Sequence, residues 1–377
     1  MTSSSLIRNS DDTSLLHSLF LNDVPLLDVR APEEFTKGAF PLAINIPLLE
    51  NDERRRVGTI YKHAGQAAAI ELGHHLVAGT VKDARMARWQ EWCSVNPQGW
   101  LYCFRGGLRS QITQEWLSSV GTQCPRVPGG YKAMRQFLIE TIENVCAERS
   151  GTTKQFVVIA GRTGSGKTQL LQQIDNGVDL EKLAGHRGSA FGTQVAGQPA
   201  QINFENELAI RFLKLGTENR PVLFIEDESK AIGSLSVPHR LYEVMKQSPV
   251  ALIQESLESR TDTILNDYIC DNLHDFEERD PANAFTDFSE WLQMSLSRIQ
   301  RRLGGEHYQE VLADMQEALR VQKLSGETAA HGVWISKLLT CYYDPMYAYQ
   351  LARRQPVITF EGCREEFLAW TQVPATA

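Results

Sequence analysis

A glycine-rich segment in the middle of the chain has the spacing of a phosphate-binding loop. Residues 161–168 follow the pattern GxxxxGK[ST], with an apolar run, Phe156–Ala160, before them and a helical run, Gln169–Ile174, after them. Glycines let successive backbone N–H groups point inward, and these donors with the helix N-terminus suit the oxygens of a di- or triphosphate. The lysine adds a cation, and nothing in the loop selects adenine. We predict diphosphate binding by Gly161, Arg162, Thr163, Gly164, Ser165, Gly166, Lys167 and Thr168.

Two later segments could complete this site. The apolar run Val222–Ile225 is followed by three acidic residues, and a carboxylate at the end of such a strand can hold the metal ion of a phosphate loop. Either Glu226 or Asp227 fits, and we nominate Asp227; a solvated acidic turn is the alternative. His186 and Arg187 lie in a polar, glycine-rich loop. This loop suits a second diphosphate or nucleotide contact, with an ordinary structured loop as the alternative.

A cysteine earlier in the chain has the surroundings of a nucleophile. Cys103 ends an apolar run and begins a tight, glycine-containing turn that precedes a helical run, Gln111–Ser118. Backbone N–H groups, a helix N-terminus and the nearby Arg105 and Arg109 favour thiolate over thiol, and thiolate is the reactive form. We expect the other thiols to be inert, buried and small: Cys93, Cys124, Cys146, Cys270, Cys341 and Cys363.

The elements that must position these groups alternate between strand-like and helical runs. A chain of 377 residues suits two cores of ordinary size, and a polar segment after residue 148 marks a boundary. We predict an α/β fold: an N-terminal α/β domain (1–148), then a parallel-sheet domain of the P-loop type (149–377) with a helical insertion (about 256–352) before a returning strand. Further strand-like runs are Pro25–Val29, Ala43–Ile46, Trp100–Phe104, Val250–Ile253 and Pro356–Phe360.

Composition and charge exclude several classes of protein. No apolar stretch reaches 18 residues, no signal peptide begins the chain, and no CxxC pair or zinc spacing occurs, so we expect a cytoplasmic protein with free thiols. A net charge of −8 excludes nucleic-acid binding through bulk charge, so a local basic surface is needed. The candidates, each with a solvated helix face as the alternative, are Arg54-Arg55-Arg56, the group Arg298, Arg301 and Arg302, and Arg353-Arg354. The first of these groups lies in a segment without apolar periodicity, so we expect it on an exposed loop of the N-terminal domain.

Four tyrosines lie close in sequence to the last of these arginine groups. Aromatic side chains interleaved with cations can stack on unpaired bases. Helical spacing makes core packing the alternative, which we favour, for Tyr342, Tyr343, Tyr347 and Tyr349.

The N-terminal half resembles rhodanese domains. The segment Leu27–Pro47 is similar to their opening signature, and Val127–Tyr131 to their closing one. Those domains carry sulfur as a persulfide on a loop cysteine, which aligns with Cys103. The spacing from Cys103 to Arg109 is C-x5-R, one residue longer than the common sulfurtransferase loop and shared with rhodanese-like phosphatases. The longer loop makes room for a group bulkier than one sulfur atom.

The pairing of a rhodanese-like domain with a P-loop domain resembles the tRNA 2-selenouridine synthase family. The resemblance covers nearly the whole chain. It implies that carbon 2 of the wobble uridine (U34) in tRNAs for Lys, Glu and Gln is modified in two steps. Geranyl diphosphate alkylates the 2-thio group, and selenium from selenophosphate, carried by Cys103, then replaces it. The segments that carry the resemblance are Cys103–Ser110, Gly129–Lys132, Gly161–Thr168, Leu183–Gly192, Glu226–Ser229 and Tyr342–Tyr347.

The resemblance also sets expectations for ligands and partners. No cofactor is expected to be tightly bound; geranyl diphosphate and selenophosphate are co-substrates, and Mg²⁺ is compatible with Thr168 and Asp227. The expected partners are the tRNA anticodon arm and a selenophosphate-supplying enzyme, with no membrane, and we favour a monomer. Three alternatives remain: a P-loop kinase or ATPase with a regulatory rhodanese-like domain, a rhodanese-like phosphatase, and a tRNA-binding scaffold.

Overall fold

The structure, a computed structural model, describes residues 10–151, 153–218 and 220–372. Its strands, in chain order, are β1 Leu26–Asp28, β2 Ala43–Asn45, β3 Trp100–Tyr102, β4 Gln155–Gly161, β5 Gly177–Val178, β6 Val222–Glu226, β7 Ala231–Ile232, β8 Leu235–Ser236, β9 Val250–Ile253 and β10 Ile358–Gly362. Two π-helical segments, Asn266–Cys270 and Leu339–Tyr343, interrupt the later helices.

The α-helices, in chain order, are α1 Ser10–Leu21, α2 Pro32–Thr36, α3 Asn51–Leu76, α4 Gly79–Val95, α5 Leu108–Ser119, α6 Gly130–Glu148, α7 Lys167–Gln173, α8 Leu180–Ala184, α9 Gln201–Gly216, α10 His239–Gln247, α11 Leu257–Leu265, α12 Asp271–Arg279, α13 Ala284–Leu303, α14 Gly305–Ser325, α15 His331–Leu338, α16 Asp344–Arg354 and α17 Arg364–Thr371.

The chain forms two compact units, and the first one combines residues 10–145 with Ala200–Glu218. Its parallel sheet has the strand order β2-β1-β3, and Cys103 directly follows β3. Helix α9 belongs to this unit although it comes later in the chain. The Asn206 side chain donates a hydrogen bond to the backbone oxygen of Ala39 (2.7 Å), and Glu205 forms an ion pair with Arg135. The predicted division at residues 148/149 does not include this return of the chain.

The second unit contains a five-stranded parallel sheet of order β10-β9-β4-β6-β5. Residues 156–161 of β4 are all buried, as expected for a central strand covered on both faces. The helices α11–α16 lie between β9 and β10 in the chain, and β10 then returns to pair in parallel with β9. The predicted parallel sheet with a helical insertion and a returning strand is therefore confirmed.

The helical insertion has an apolar core of its own. Phe288, Leu292 and Trp334 are almost fully buried in it, and Phe191 from the loop after α8 packs against the same cluster. Burial of this apolar surface is the main favourable free energy that holds such helices together. The insertion is therefore a well-packed helical unit that contacts the loop after α8.

The prediction of an exposed loop for Arg54, Arg55 and Arg56 is wrong. All three lie in the first turns of α3, where the Glu53 carboxylate accepts a hydrogen bond from the backbone N–H of Glu50 (2.7 Å). This contact satisfies a donor that a helix start leaves unpaired. The segment lacks apolar periodicity because most of its side chains are exposed or only half-buried, so the helix is specified by its N-terminal contacts.

The expectation that the six other cysteines are all buried holds for three of them and is wrong for the rest. Cys93, Cys124 and Cys146 are buried, as expected for small apolar core residues. Cys270 and Cys341, which lie on the two π-helical segments, are exposed, and Cys363 is half-buried.

Candidate functional site

The predicted phosphate loop connects the central strand β4 to helix α7. Gly164 and Gly166 have φ angles of +81° and +73°, and a Cβ on Gly164 would lie 2.6 Å from the backbone oxygen of Arg260. Only glycine fits there without strain. Lys167 donates to the backbone oxygen of Gly161 (3.3 Å), and the buried Ser165 hydroxyl has no hydrogen-bond partner among the described residues. The loop thus has the geometry and the spare donor that a phosphate group would use.

Three glutamates lie beside the threonine that ends this loop. The Thr168 hydroxyl is 3.4 Å from a carboxylate oxygen of Glu226 and 3.5 Å from one of Glu181. Carboxylate oxygens of Glu181, Glu226 and Glu228 all lie within 4.8 Å of one another. Carboxylate and hydroxyl oxygens are the ligands that Mg²⁺ prefers. Because Glu181 comes from the short helix α8, its place in this cluster carries no signal in the sequence.

Burial and mutual repulsion strongly perturb the three carboxyl groups. Burial raises the pKa of Glu226 well above its usual range, and the neighbouring Glu181 raises it further. The pKa of Glu181 is raised by burial and then by Glu228, and the pKa of Glu228 is raised to about 7 by burial and by Glu226. Lys167 opposes all three shifts. A divalent cation would relieve the same repulsion, so the cluster fits a metal ion chemically.

The structure places Asp227 away from the threonine. Its carboxylate accepts a hydrogen bond from Arg354 (2.6 Å), while Glu226, the last residue of β6, lies next to Thr168. Of the two acidic residues that the sequence left open, Glu226 therefore has the position of a metal-side carboxylate. The same ion pair engages Arg354, one of the arginines considered for RNA binding.

A buried ion pair contacts the backbone of the phosphate loop. Nothing in the sequence indicates this pair. Arg260, 1% exposed, donates to the backbone oxygen of Thr163 (2.9 Å) and makes two hydrogen bonds to Asp344 (3.0 and 2.6 Å). Arg162 of the loop lies 3.4 Å from the same carboxylate. Asp344 thus links α16 and α11 to the loop backbone, which fixes the loop conformation before a ligand binds.

Of the two other residues predicted to contact the ligand in this unit, Arg187 has partners within it, whereas the buried Nδ1 of His186 has none among the described residues. Arg187 donates to the backbone oxygen of Asp267 and to the Asn272 side chain, both at 2.6 Å. His186 is buried, and burial lowers its pKa. Arg187 therefore joins its loop to the helical insertion, and its role as a ligand contact stays a prediction.

Two of the four tyrosines belong to the core of the insertion. Tyr342 and Tyr343 are buried in it, as the core-packing alternative predicts. Tyr349 is 67% exposed, and the Tyr347 hydroxyl is buried without a hydrogen-bond partner among the described residues. Stacking on bases is therefore unavailable to the first pair.

The cysteine loop of the first unit is held by the glycine turn that precedes α6. The backbone N–H of Tyr131 donates to the oxygen of Cys103 (2.9 Å). A Cβ on Gly130 would lie 2.3 Å from that same oxygen, and Gly106 has a φ of +65°. The turn and the loop therefore need glycine to approach each other so closely.

Within this loop the Cys103 thiol is 3% exposed. Its Sγ lies 3.2 Å from the Ser110 hydroxyl and 3.8 Å from the backbone oxygen of Gly107. Arg109 forms an ion pair with Glu34 (2.6 Å), and these hydrogen bonds, acting against burial, lower the pKa of Glu34. Arg105 is exposed. The structure thus brings Ser110 to the sulfur, a residue that the sequence did not single out as functional.

Fold and site together define a P-loop α/β protein with a second α/β unit that carries a loop cysteine. Within the described ranges, no helix is long and apolar enough to cross a membrane. The family model of the tRNA 2-selenouridine synthase AAA domain matches residues 154–376. The chain belongs to the tRNA 2-selenouridine synthase family.

Curated relatives named tRNA 2-selenouridine synthase match almost the whole chain. The relative from Bordetella petrii is 48% identical and the alignment covers 96% of each chain. The one from Bordetella bronchiseptica is 49% identical over 97% of this chain and 99% of the relative. The one from Pseudomonas syringae pv. tomato is 49% identical over 94% and 95%, respectively. The family resemblance found in the sequence is thereby confirmed, while the rhodanese-like assignment of the first unit stays a prediction.

Proposed function

We propose that this chain is a tRNA-modifying transferase that converts 2-thiouridine at the wobble position to 2-selenouridine. The observation that carries the proposal is the relationship to tRNA 2-selenouridine synthases over 96% of the chain, which includes the cysteine loop and the phosphate loop. The substrate is tRNA. On the family resemblance, the tRNAs are those for Lys, Glu and Gln, recognised through the anticodon arm.

For the first step, we infer that the phosphate loop holds geranyl diphosphate. The bond between carbon 1 of the geranyl group and the diphosphate oxygen breaks, a bond from that carbon to the 2-thio sulfur forms, and diphosphate leaves. Lys167, the loop N–H groups and the unpaired Ser165 hydroxyl would stabilise the negative charge on the departing oxygens. S-alkylation then makes the sulfur a better leaving group at carbon 2.

A metal ion would complete this site. Thr168, Glu226 and Glu181 are the residues that would hold Mg²⁺, with Glu228 next to them. A bound ion supplies positive charge to the leaving diphosphate. The chain's own contribution is to fix these oxygens at the end of the buried strand β6, where the Arg260–Asp344 pair keeps the adjacent loop in place.

For the second step, we infer that Cys103 carries selenium. Water cleaves the Se–P bond of selenophosphate and releases phosphate and hydrogen selenide. The selenide attacks the sulfur of Cys103, held as a mixed disulfide with a small thiol, displaces that thiol and leaves Cys103 as a perselenide. The selenium then attacks carbon 2 of the uridine, the C2–S bond breaks, and geranylthiolate leaves and takes up a proton. The displaced thiol then attacks the Cys103 sulfur and breaks the Se–S bond, which leaves selenium on the uridine and restores the mixed disulfide, so that the cycle consumes no oxidant. The Ser110 hydroxyl donates to the backbone oxygen of Gly107 (2.9 Å) and lies 3.2 Å from Sγ, so its hydrogen would turn to the Cys103 sulfur when negative charge develops there.

The experiment is mass spectrometry of tRNA nucleosides from cells that lack the protein, complemented with the wild-type chain or with Cys103→Ser. Wild-type complementation restores 2-selenouridine, and the variant does not. A cell without the protein that still contains normal 2-selenouridine would contradict the proposal. Purified enzyme incubated with ATP alone serves as a further arm, because rapid hydrolysis that is independent of tRNA would favour a P-loop ATPase instead.

A further inference from the structure

The first unit contains a large apolar cavity. It has a volume of about 640 Å³ and lies between the two halves of α3 and helix α5. Its apolar lining includes Leu49, Val57, Ile70, Ile112 and Trp116. The cavity is open to solvent on one side, and open cavities of this size with a mainly apolar lining are the usual form of small-ligand sites in proteins.

The cavity exists because helix α3 is broken in the middle. Gly65 has φ +83° and ψ −175°, so residues on its two sides form two helical segments that meet at an angle. Val57 comes from the first segment and Ile70 from the second, and both line the cavity. Because of this break, the two segments of α3 line two different sides of the cavity.

Positive charge surrounds this apolar space. Nineteen of the described residues line it, and none of these is acidic, whereas five carry basic side chains: Arg54, Arg55, Lys62, His74 and Arg109. Behind the lining, Glu34 pairs with Arg54 and Arg109, and Asp52 pairs with Arg55. These two carboxylates offset only part of the positive charge, and Lys62 is exposed. Charge complementarity therefore favours a ligand with an apolar body and an anionic group at the rim.

The cavity also adjoins the cysteine loop. Leu108 and Arg109, which begin α5, line the cavity and belong to the segment Cys103–Ser110. A ligand whose apolar part occupies the cavity would therefore have its polar end close to the loop that carries Cys103. Trp116 closes the far side and is itself held by Lys82, whose ammonium lies 4.2 Å from the ring centre.

We propose that this cavity binds the geranyl chain, a branched unsaturated hydrocarbon joined to a phosphate-bearing group. The proposal rests on the proposed function, which supplies the geranyl group. Two molecules share this chemistry: the S-geranylated anticodon nucleotide of the RNA, and free geranyl diphosphate. In either one the apolar walls hold the chain, and Arg54, Arg55 and Lys62 face the phosphates.

The test fills the cavity with a new side chain. Gly58 lines it, is helical, and a Cβ there would meet nothing within 4 Å, so Gly58→Phe adds a ring without a backbone clash. Gly216→Phe, in α9 of the same unit and also with nothing within 4 Å, is the matched control. A second pair of variants tests the charge at the rim. Lys62→Glu reverses a charge there, and its control is Lys323→Glu on the exposed side of α14. Thermal unfolding curves show whether each variant folds.

Binding is measured with two probes. One is an anticodon stem-loop containing S-geranyl-2-thiouridine, compared with the same stem-loop containing 2-thiouridine; the other is geranyl diphosphate, added to the Lys167→Ala variant so that the phosphate loop contributes little. We expect Gly58→Phe to reduce binding of at least one probe about tenfold, with Lys62→Glu acting in the same direction and both controls unchanged. If only binding of the S-geranylated stem-loop is reduced, the cavity holds the geranyl chain of the RNA. If only binding of geranyl diphosphate is reduced, the cavity holds the geranyl chain of the free donor.

Unchanged binding of both probes by the folded Gly58→Phe variant would overturn the proposal. If that variant does not fold, the Lys62→Glu result decides: wild-type affinity for both probes then overturns it. Formation of 2-selenouridine by the wild-type protein is measured in parallel. Its absence would refute the proposed function, whereas the cavity is judged by the binding data alone.

Discussion

The carboxylate of Glu226 lies 3.4 Å from the hydroxyl of Thr168, whereas the adjacent Asp227 is bound to Arg354. Neighbouring residues at the end of β6 thus have different partners. One carboxylate belongs to the phosphate loop, and the other ties the strand end to α16.

This difference predicts unequal effects of two conservative substitutions. Glu226→Gln removes a charge from the proposed metal cluster and should lower the rate of geranyl transfer at least tenfold, with a raised Mg²⁺ requirement. Asp227→Asn keeps the shape and should change the rate less. The measurement is geranyl transfer to 2-thiouridine RNA over a range of Mg²⁺ concentrations. A larger decrease in the geranyl transfer rate with Asp227→Asn than with Glu226→Gln would instead assign the metal-side position to Asp227.

The pKa of Glu228, about 7 against the usual 4.5, predicts a pH-dependent stability. A carboxyl group whose pKa is raised by folding stabilises the fold fully below pH 4.5, and this stability is lost as the pH rises towards 7. The loss amounts to at most about 3 kcal/mol and is reduced by solvent screening, because Glu228 is only half-buried. Without Mg²⁺, Glu228→Gln should therefore raise the Tm at pH 8 and leave it unchanged at pH 4. An equal increase of the Tm at pH 4 and at pH 8 would contradict the raised pKa of Glu228.

Cys103→Ser separates the two proposed steps. The substitution is nearly isosteric and removes the thiolate, so selenium incorporation should fall to background while geranyl transfer continues. Liquid chromatography of nucleosides after reaction with each co-substrate gives both rates. Cys341→Ser, at an exposed thiol, is the control and should keep both activities. Normal 2-selenouridine formation by Cys103→Ser would show that another group carries selenium.

Lys167→Ala tests the phosphate loop. The lysine side chain donates to the loop backbone oxygen of Gly161, and it would face the leaving diphosphate when a ligand binds. Its removal should slow geranyl transfer by on the order of 10²–10³ at saturating geranyl diphosphate. Selenium transfer to RNA that is already S-geranylated should be retained. An unchanged geranyl transfer rate would mean that the loop serves another ligand.

The arginines at the start of α3 remain candidates for tRNA binding. Arg54 is paired with Glu34 (2.9 Å) and Arg55 with Asp52 (2.8 Å), while Arg56 is exposed. Replacing all three with alanine should weaken tRNA binding. It should also reduce the log–log slope of affinity against salt concentration by roughly 0.9 for each duplex phosphate that the variant no longer neutralises. Filter binding from low to moderate salt measures both.

The double variant Lys246→Ala/Lys323→Ala, at two exposed lysines of α10 and α14, is the comparison for this test. It also lowers the positive charge of the chain but changes a different surface. Equal weakening by both variants would indicate a net-charge effect, and a wild-type salt slope in the triple variant would exclude the α3 arginines as a tRNA-binding surface.

The sequence by itself determined the phosphate loop, four of the five strands of its sheet and the turn that follows Cys103. These features are local: the glycines at 164 and 166 are needed for positive φ, and the short, β-branched apolar run at residues 156–160, bounded by glycine, favours a buried strand beside them. The helical insertion was also visible, because its apolar residues recur with helical period over many turns.

Only the tertiary structure decided which distant side chains meet at the site. Glu181 joins Glu226 because α8 packs beside the end of β6, and Arg260 reaches Asp344 across 84 residues of chain. Such pairs depend on how elements pack, and their spacing in the sequence is not fixed by any local backbone geometry. The cavity of the first unit has the same origin, since residues on both sides of Gly65 become its walls only after α3 has folded against α5.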